Sequence, residues 1–129
     1  MNIIELYNKH LNEKVEKYWN IYHFDMELGH RAYNNEGDAF KHCYSQAELT
    51  LFLGAKIAEW IGVKHEDNNP YNTPAECNMD LHNNAAGRKI GKEIKRHNFF
   101  WFLTKFDDKI AEMIMETMSA GLLITEIKD

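Results

Sequence analysis

Three short polar clusters lie between residues 37 and 91. Asp38 and His42 are one helical turn apart in Asp-Ala-Phe-Lys-His, His65-Glu66 follows, and Asp80-Leu-His-Asn-Asn84 comes last, with Arg88 one further turn on. Asp, His, Glu and Asn are costly to bury unless they are paired, hydrogen-bonded or bound to a metal. Here they are embedded in segments that otherwise read as core, which points to a built site.

Each cluster has a chemical reading and a plainer one. On a helix, Asp38 and His42 share a face, where a carboxylate can fix the imidazole tautomer, raise its pKa or join it as a second metal ligand. The plainer reading makes Asp38 a helix N-cap and His42 a satisfied helix histidine. His65 can serve as a ligand or acid/base and Glu66 as a ligand or general base. Otherwise His65 simply complements a helix C-terminus. The three/four spacing puts Asp80, Asn83 and Asn84 on one face with Arg88, while His82 points elsewhere. Adjacent asparagines are poor helix formers in mid-helix, so they imply surface placement or specific hydrogen bonds. Their carbonyls and the Asp80 carboxylate suit a hard cation, and Arg88 can hold a phosphate or carboxylate through two parallel hydrogen bonds. His30, just before the first cluster, is a further candidate.

The elements that must position these groups read as helices. Residues 2–22 carry Ile4, Tyr7, Leu11, Val15, Tyr18 and Trp19 at helical spacing, with Lys9, Glu13, Lys14, Glu16 and Lys17 opposite. Residues 23–36 form a connector ending in the breaker Asn34-Asn35-Glu36-Gly37. A second helix is expected from Asp38 to about Leu53, apolar around most of its circumference and therefore central. Gly54 breaks or weakens it, and a third helix runs from Ala55 to about His65 with Ile57, Ala58, Trp60 and Ile61 apolar. Thr73-Pro-Ala-Glu76 is a capping box with proline at the first helical position, opening a fourth helix to about Arg96. Gly87 and Gly91, one turn apart, allow another element to come close. The last helix covers Lys105 to about Ala120, and Leu122 to Ile127 form a short extended tail. The expectation is an all-α, compact single-domain bundle of about five to six helices over residues 1–129, with its motif core at 37–91.

Composition narrows the partners. The 129-residue chain is 44% apolar with a net charge of −5, enough for one core and with no global electrostatic reason to expect nucleic-acid binding. Cys43 and Cys77 are too few for a disulfide scaffold, and Cys43 reads as a small hydrophobe in a reducing compartment. There is neither a signal-peptide pattern nor an apolar run of membrane-spanning length. The expected location is the cytoplasm, or secretion without a cleavable signal. Arg88, Lys89, Lys92, Lys95 and Arg96 make a local basic patch that complements a helix C-terminus. The aromatic run Phe99 to Leu103 fits core packing, a protein-partner surface or an interfacial membrane anchor.

The order Gly-Asp-Ala-Phe-Lys-His42-Cys-Tyr, His65-Glu66, Met79-Asp-Leu-His-Asn-Asn-Ala-Ala-Gly-Arg88 resembles an uncharacterised bacterial domain found at the C-termini of large secreted proteins of the polymorphic-toxin and RHS-repeat type. The recurring pattern there is Asp-Ala-Phe-Arg-His, then His-Glu, then Met-Asp with Asn-Asn and Gly-Arg. Lys41 stands where that pattern has Arg, keeping the charge but not the guanidinium fork. The resemblance implies a small helical effector-like domain of hydrolase type, with Asp38, His42, His65, Glu66, Asp80, Asn83, Asn84 and Arg88 as its site residues.

Two functions follow as expectations. The first is a hydrolase acting on an anionic substrate, a phosphodiester or lipid phosphate. A divalent metal (zinc, or magnesium or manganese) would bind among Asp38, His42, His65 and Asp80. Glu66 would be the base, Asn83 and Asn84 would orient the site, and Arg88 would steady developing negative charge. Metal-free acid/base chemistry is its close variant. The second is a non-enzymatic interaction domain in which the same clusters form a hydrogen-bond network that specifies helix packing.

Overall fold

The computed structural model describes residues 2–24, 35–67, 73–97 and 106–127. These contain five helices, α1 (Ile3–Ile21), α2 (Glu36–Leu53), α3 (Ala55–Asp67), α4 (Pro74–His97) and α5 (Asp107–Ser119), and no strand. The all-α bundle is as expected. His30 and the aromatic run Phe99 to Leu103 lie outside the described residues.

Local chemistry sets most of the boundaries. Asn2 caps α1, its side chain accepting from Glu5 N at 2.9 Å. α2 begins two residues earlier than the Asp38 start read from the sequence, because Asn35 is the cap and accepts from Asp38 N at 3.0 Å. Asp38 is thereby relieved of capping, and its carboxylate faces the next turn. Gly54 ends α2 at φ 91°, in the left-handed region where a side chain would be strained. The capping box of α4 forms: Glu76 N donates to Thr73 Oγ1 at 3.2 Å, and Thr73 Oγ1 donates to Glu76 Oε1 at 3.1 Å.

α2 is the central element and packs chiefly against α4. Cβ atoms added at Gly87 and Gly91 would lie 2.2 Å from Cys43 O and 2.8 Å from Ala47 O, so the two glycines let the backbones meet. The constant offset between these pairs means that α2 and α4 run parallel. α3 returns between them in the opposite sense, with Ala58 beside Gln46 and His65 beside His42.

Opposite this interface, α1 and α5 cover the apolar side of α2. Leu11, Val15, Phe40, Cys43, Ala47, Ile110 and Ile114 form the core, with Ile90 and Ile94 joining from α4. Tyr18 sits 6.0 Å from Phe40 and 5.9 Å from Tyr44, ring centre to ring centre. Cys43 is fully buried, and its thiol is pushed up to about 12 by desolvation, so it acts as a hydrophobe. The apolar reading of α3 holds only for Ala58 and in part Ile61, since Ile57 and Trp60 are exposed. α3 buries Ala58, Gly62 and Glu66 instead, the two small residues lying where its neighbours come closest.

Candidate functional site

Three helices each present residues at four-residue steps to a common seam. α2 supplies Asp38, His42 and Gln46, α4 supplies Asp80, Asn84 and Arg88, and α3 supplies Ala58, Gly62 and Glu66. A four-residue step returns to nearly the same helical face, so each series forms a stripe. Gly62 sits where the stripes converge: a Cβ there would lie 3.0 Å from Asn84 Nδ2 and 3.1 Å from Gln46 Nε2, so both side chains would have to give way.

The centre of the seam is His42. Its Nε2 faces two carboxylates, Asp80 Oδ1 at 3.3 Å and Asp38 Oδ1 at 3.5 Å. Its Nδ1 lies 3.2 Å from Asn84 Oδ1. An amide oxygen only accepts, so this contact places a proton on Nδ1. The carboxylates call for another on Nε2, and the ring is then an imidazolium. Burial works against that charge, but Asp38, Asp80 and Glu66 outweigh it and hold the His42 pKa above its ordinary value.

The carboxylates outnumber the cation they surround. Asp38, Glu66 and Asp80 are all buried, at 9%, 6% and 6% exposure. Burial is the main reason that the Asp80 carboxyl is pushed up to about 7; His42 opposes it, while Glu66 and Asp38 add to the rise. Asp80 Oδ1 is shut off from solvent and has no hydrogen bond beyond its ion-pair contact with His42. Among the described residues, Asp38, His42 and Asp80 can each offer one ligand atom within 4.8 Å of the others, a grouping able to hold a metal ion.

The remaining sequence-derived candidates are divided. Glu66 joins the cluster from α3, acting on both His42 and Asp80. His65 is exposed at its edge, its ring centre 6.4 Å from that of His42. Asn84 orients His42. Arg88 lies two turns beyond Asp80, about 12 Å along the helix axis, and its Nη1 donates to Gln46 Oε1 at 2.9 Å. Asn83 is brought elsewhere. Fully buried, it donates from Nδ2 to Ile124 O and accepts from Ile124 N, both at 2.9 Å, clamping the C-terminal tail as a strand partner would. Neighbouring residues on a helix point about 100° apart, so the apolar flank of α4 takes Asn83 while Asn84 faces α2. His82, 2.8 Å from Leu122 O at Nε2, belongs to the same clamp.

Sequence reasoning missed Gln46, which bridges Arg88 and Ala58 O, the latter at 2.9 Å from its Nε2. Its signal was its place one turn after His42 on the same face. Cys77 was also missed as a neighbour: its thiol is held up by desolvation and by Glu66 and Asp80.

The family model described as a domain of unknown function (DUF6973) matches residues 12–121. The chain belongs to this family. The match takes in every residue of the seam and supports the resemblance to an uncharacterised domain. No curated protein and no solved structure matches the chain.

Proposed function

We propose that this DUF6973 chain is a metal-dependent hydrolase acting on a phosphodiester or lipid-phosphate substrate, of bacterial toxin or effector type. One observation carries the reading. His42 turns Nε2 toward Asp38 and Asp80 while Asn84 holds Nδ1, which is the arrangement of a metal-ligating histidine with a partner fixing its tautomer. Loss of the Nε2 proton leaves a neutral imidazole whose lone pair points into the carboxylates, with the Asn84 contact intact.

Asp38, His42 and Asp80 would hold the ion, and magnesium, manganese or zinc all fit two carboxylates and one imidazole. Bound there, a divalent ion supplies a water of lowered pKa and polarises the scissile group. Glu66, which acts on Asp80 from α3, would be the base toward that water. The excess of negative charge favours a cation and disfavours an anionic substrate in its absence, so metal and substrate are coupled by charge. Arg88, tied to Gln46, serves the seam from its far end.

The structural reading is supported by the other half of the seam. Gln46, Arg88, Ala58 and Asn84 are hydrogen-bonded to one another or to His42, as a network that specifies helix packing would be. The two halves divide the roles: the paired end sets the register, and the charge-unbalanced end has the chemistry.

Metal analysis and calorimetric titration of the purified protein test this, beside His42→Ala and with a chromogenic phosphodiester and phospholipid vesicles as substrates. The expected result is one tightly held divalent ion, lost in His42→Ala with helicity retained, and hydrolysis that follows the metal. Absence of both binding and turnover with magnesium, manganese and zinc would overturn the proposal.

A further inference from the structure

The turn from α2 into α3 leaves large apolar side chains in water. Phe52 is 68% exposed and Trp60 62%, and Leu53, Ile57 and Val63 are exposed with them. They lie on both sides of Gly54, the single residue between the two helices. α3 turns Ala58, Gly62 and Glu66 inward, so its opposite side carries Ile57, Trp60 and Lys64 at three- and four-residue steps. Lys64 Nζ lies 5.9 Å from the centre of a Trp60 ring. Ile57 and Trp60 therefore project from a convex helix face.

The same end of the bundle is basic. α2 and α4 run parallel, and Gly91 meets both Ala47 and Thr50. The last turns of α4 therefore lie beside Phe52, Leu53 and the start of α3. They carry Lys89, Lys92, Lys95 and Arg96, all exposed. Glu93, the one acid among them, is taken up by Arg96 at 2.6 Å and His97 at 3.2 Å. On α3, Lys56 and Lys64 bracket the apolar face with only Glu59 as an acid between them. The chain as a whole carries a net charge of −5, so its acid excess lies elsewhere and the molecule is electrically polarised.

We infer that this end of the molecule binds the surface of an anionic lipid bilayer, with Phe52, Ile57 and Trp60 set among the acyl chains and Lys56, Lys64 and Lys92 against the headgroup phosphates. A helix face of tryptophan and aliphatic side chains bracketed by lysines is suited to the boundary between headgroups and acyl chains. Charge selects this occupant over a second copy of the chain. A two-fold contact pairs a patch with itself, which would bring the same lysines face to face. Shape and composition select it over a protein partner. Protein interfaces are depleted in lysine, and an apolar helix is received by a groove, whereas this face is itself a ridge. A fluid acyl layer adapts to protruding side chains. No helix among the described residues is long and apolar enough to cross a membrane, so the contact is interfacial. The surface uses none of the metal-ligating residues and does not depend on the hydrolase reading.

The test is vesicle flotation of the full chain with phosphatidylglycerol–phosphatidylcholine vesicles and with pure phosphatidylcholine. A chelator is present throughout, so that lipid phosphate engaging a metal-loaded seam contributes nothing. The chain should bind the anionic vesicles about tenfold or more tightly than the neutral ones, and the difference should shrink as salt is raised. Phe52→Ser with Trp60→Ser changes two exposed side chains and should weaken binding to the anionic vesicles by about tenfold or more. Flotation with neither vesicle, equal binding to both, or unaltered binding in the double variant would each overturn the assignment. Sedimentation of the free protein should show a monomer; a dimer that the double variant dissolves would give this face to a second copy instead. The comparison of vesicles uses the unmodified chain, so it decides the matter even if the variant misfolds.

Discussion

Removing the Asp80 charge should make the metal-free protein more stable at alkaline pH. Unfolded, the Asp80 carboxyl titrates at its ordinary 3.8; folded, it is held at about 7 by burial and by Glu66 and Asp38. Between those values the folded state keeps a proton that the unfolded state has released, so stability falls as pH rises. At about 1.4 kcal/mol per pH unit, the full interval corresponds to a loss of about 4 kcal/mol on going from pH 4 to pH 8. His42 adds to the loss with the same sign, since its raised pKa makes a contribution that is complete below its ordinary 6.5 and disappears as pH passes the folded value. The measurement is urea unfolding in a chelator across this pH range, for the native chain and Asp80→Asn. The native chain should lose stability steadily, and the variant should show a much flatter profile and exceed it at pH 8 by about 2–4 kcal/mol. A divalent ion should reverse the order at pH 8, stabilising the native chain alone. A flat profile for the native chain, or parallel profiles for both proteins, would refute the claim that excess negative charge is confined in the seam.

Further outcomes follow from the packing. Gly87→Ala drives a methyl to 2.2 Å from Cys43 O; helix propensity gains about 1 kcal/mol, but the forced separation of α2 and α4 should leave a net loss of about 3 kcal/mol in urea unfolding. Asn83→Ala removes both hydrogen bonds to Ile124 and should cost about 2 kcal/mol, with faster amide exchange in residues 122–127 and metal affinity unchanged. Asn84→Ala deprives His42 Nδ1 of its acceptor and should weaken metal binding by about 10–100-fold in calorimetric titration.

Much of the fold can be read from local chemistry. The capping box at Thr73–Glu76, the helix-ending Gly54 and the apolar stripe of Leu11, Val15 and Tyr18 depend on neighbours in the chain, which the sequence displays directly. The start of α2 was misplaced by two residues because Asn35 and Asp38 are both good caps, and choosing between them requires knowing that Asp38 has a partner in His42. Exposure of Trp60 and Ile57 could not be foreseen either: composition shows which residues are apolar, but only the narrow gap left by Gly62 shows why large ones turn outward.

The candidate site divides in the same way. Residue type and one-turn spacing were enough to single out Asp38, His42, Asp80, Asn84 and Arg88, and residue type alone His65, Glu66 and Asn83, because a buried carboxylate or imidazole needs compensation wherever it sits. Separating Asn83 from Asn84 required the tertiary structure, since adjacent residues on one helix face different neighbours and nothing local says which neighbour is the tail and which is α2. Gln46 and Glu48 belong to the same helix yet serve opposite sides of it, one in the seam and one against His10 of α1. The sequence determines the period and polarity of each helix by itself; which polar stripes meet is decided by backbone approach at Gly62, Gly87 and Gly91, a relation between residues distant in the chain.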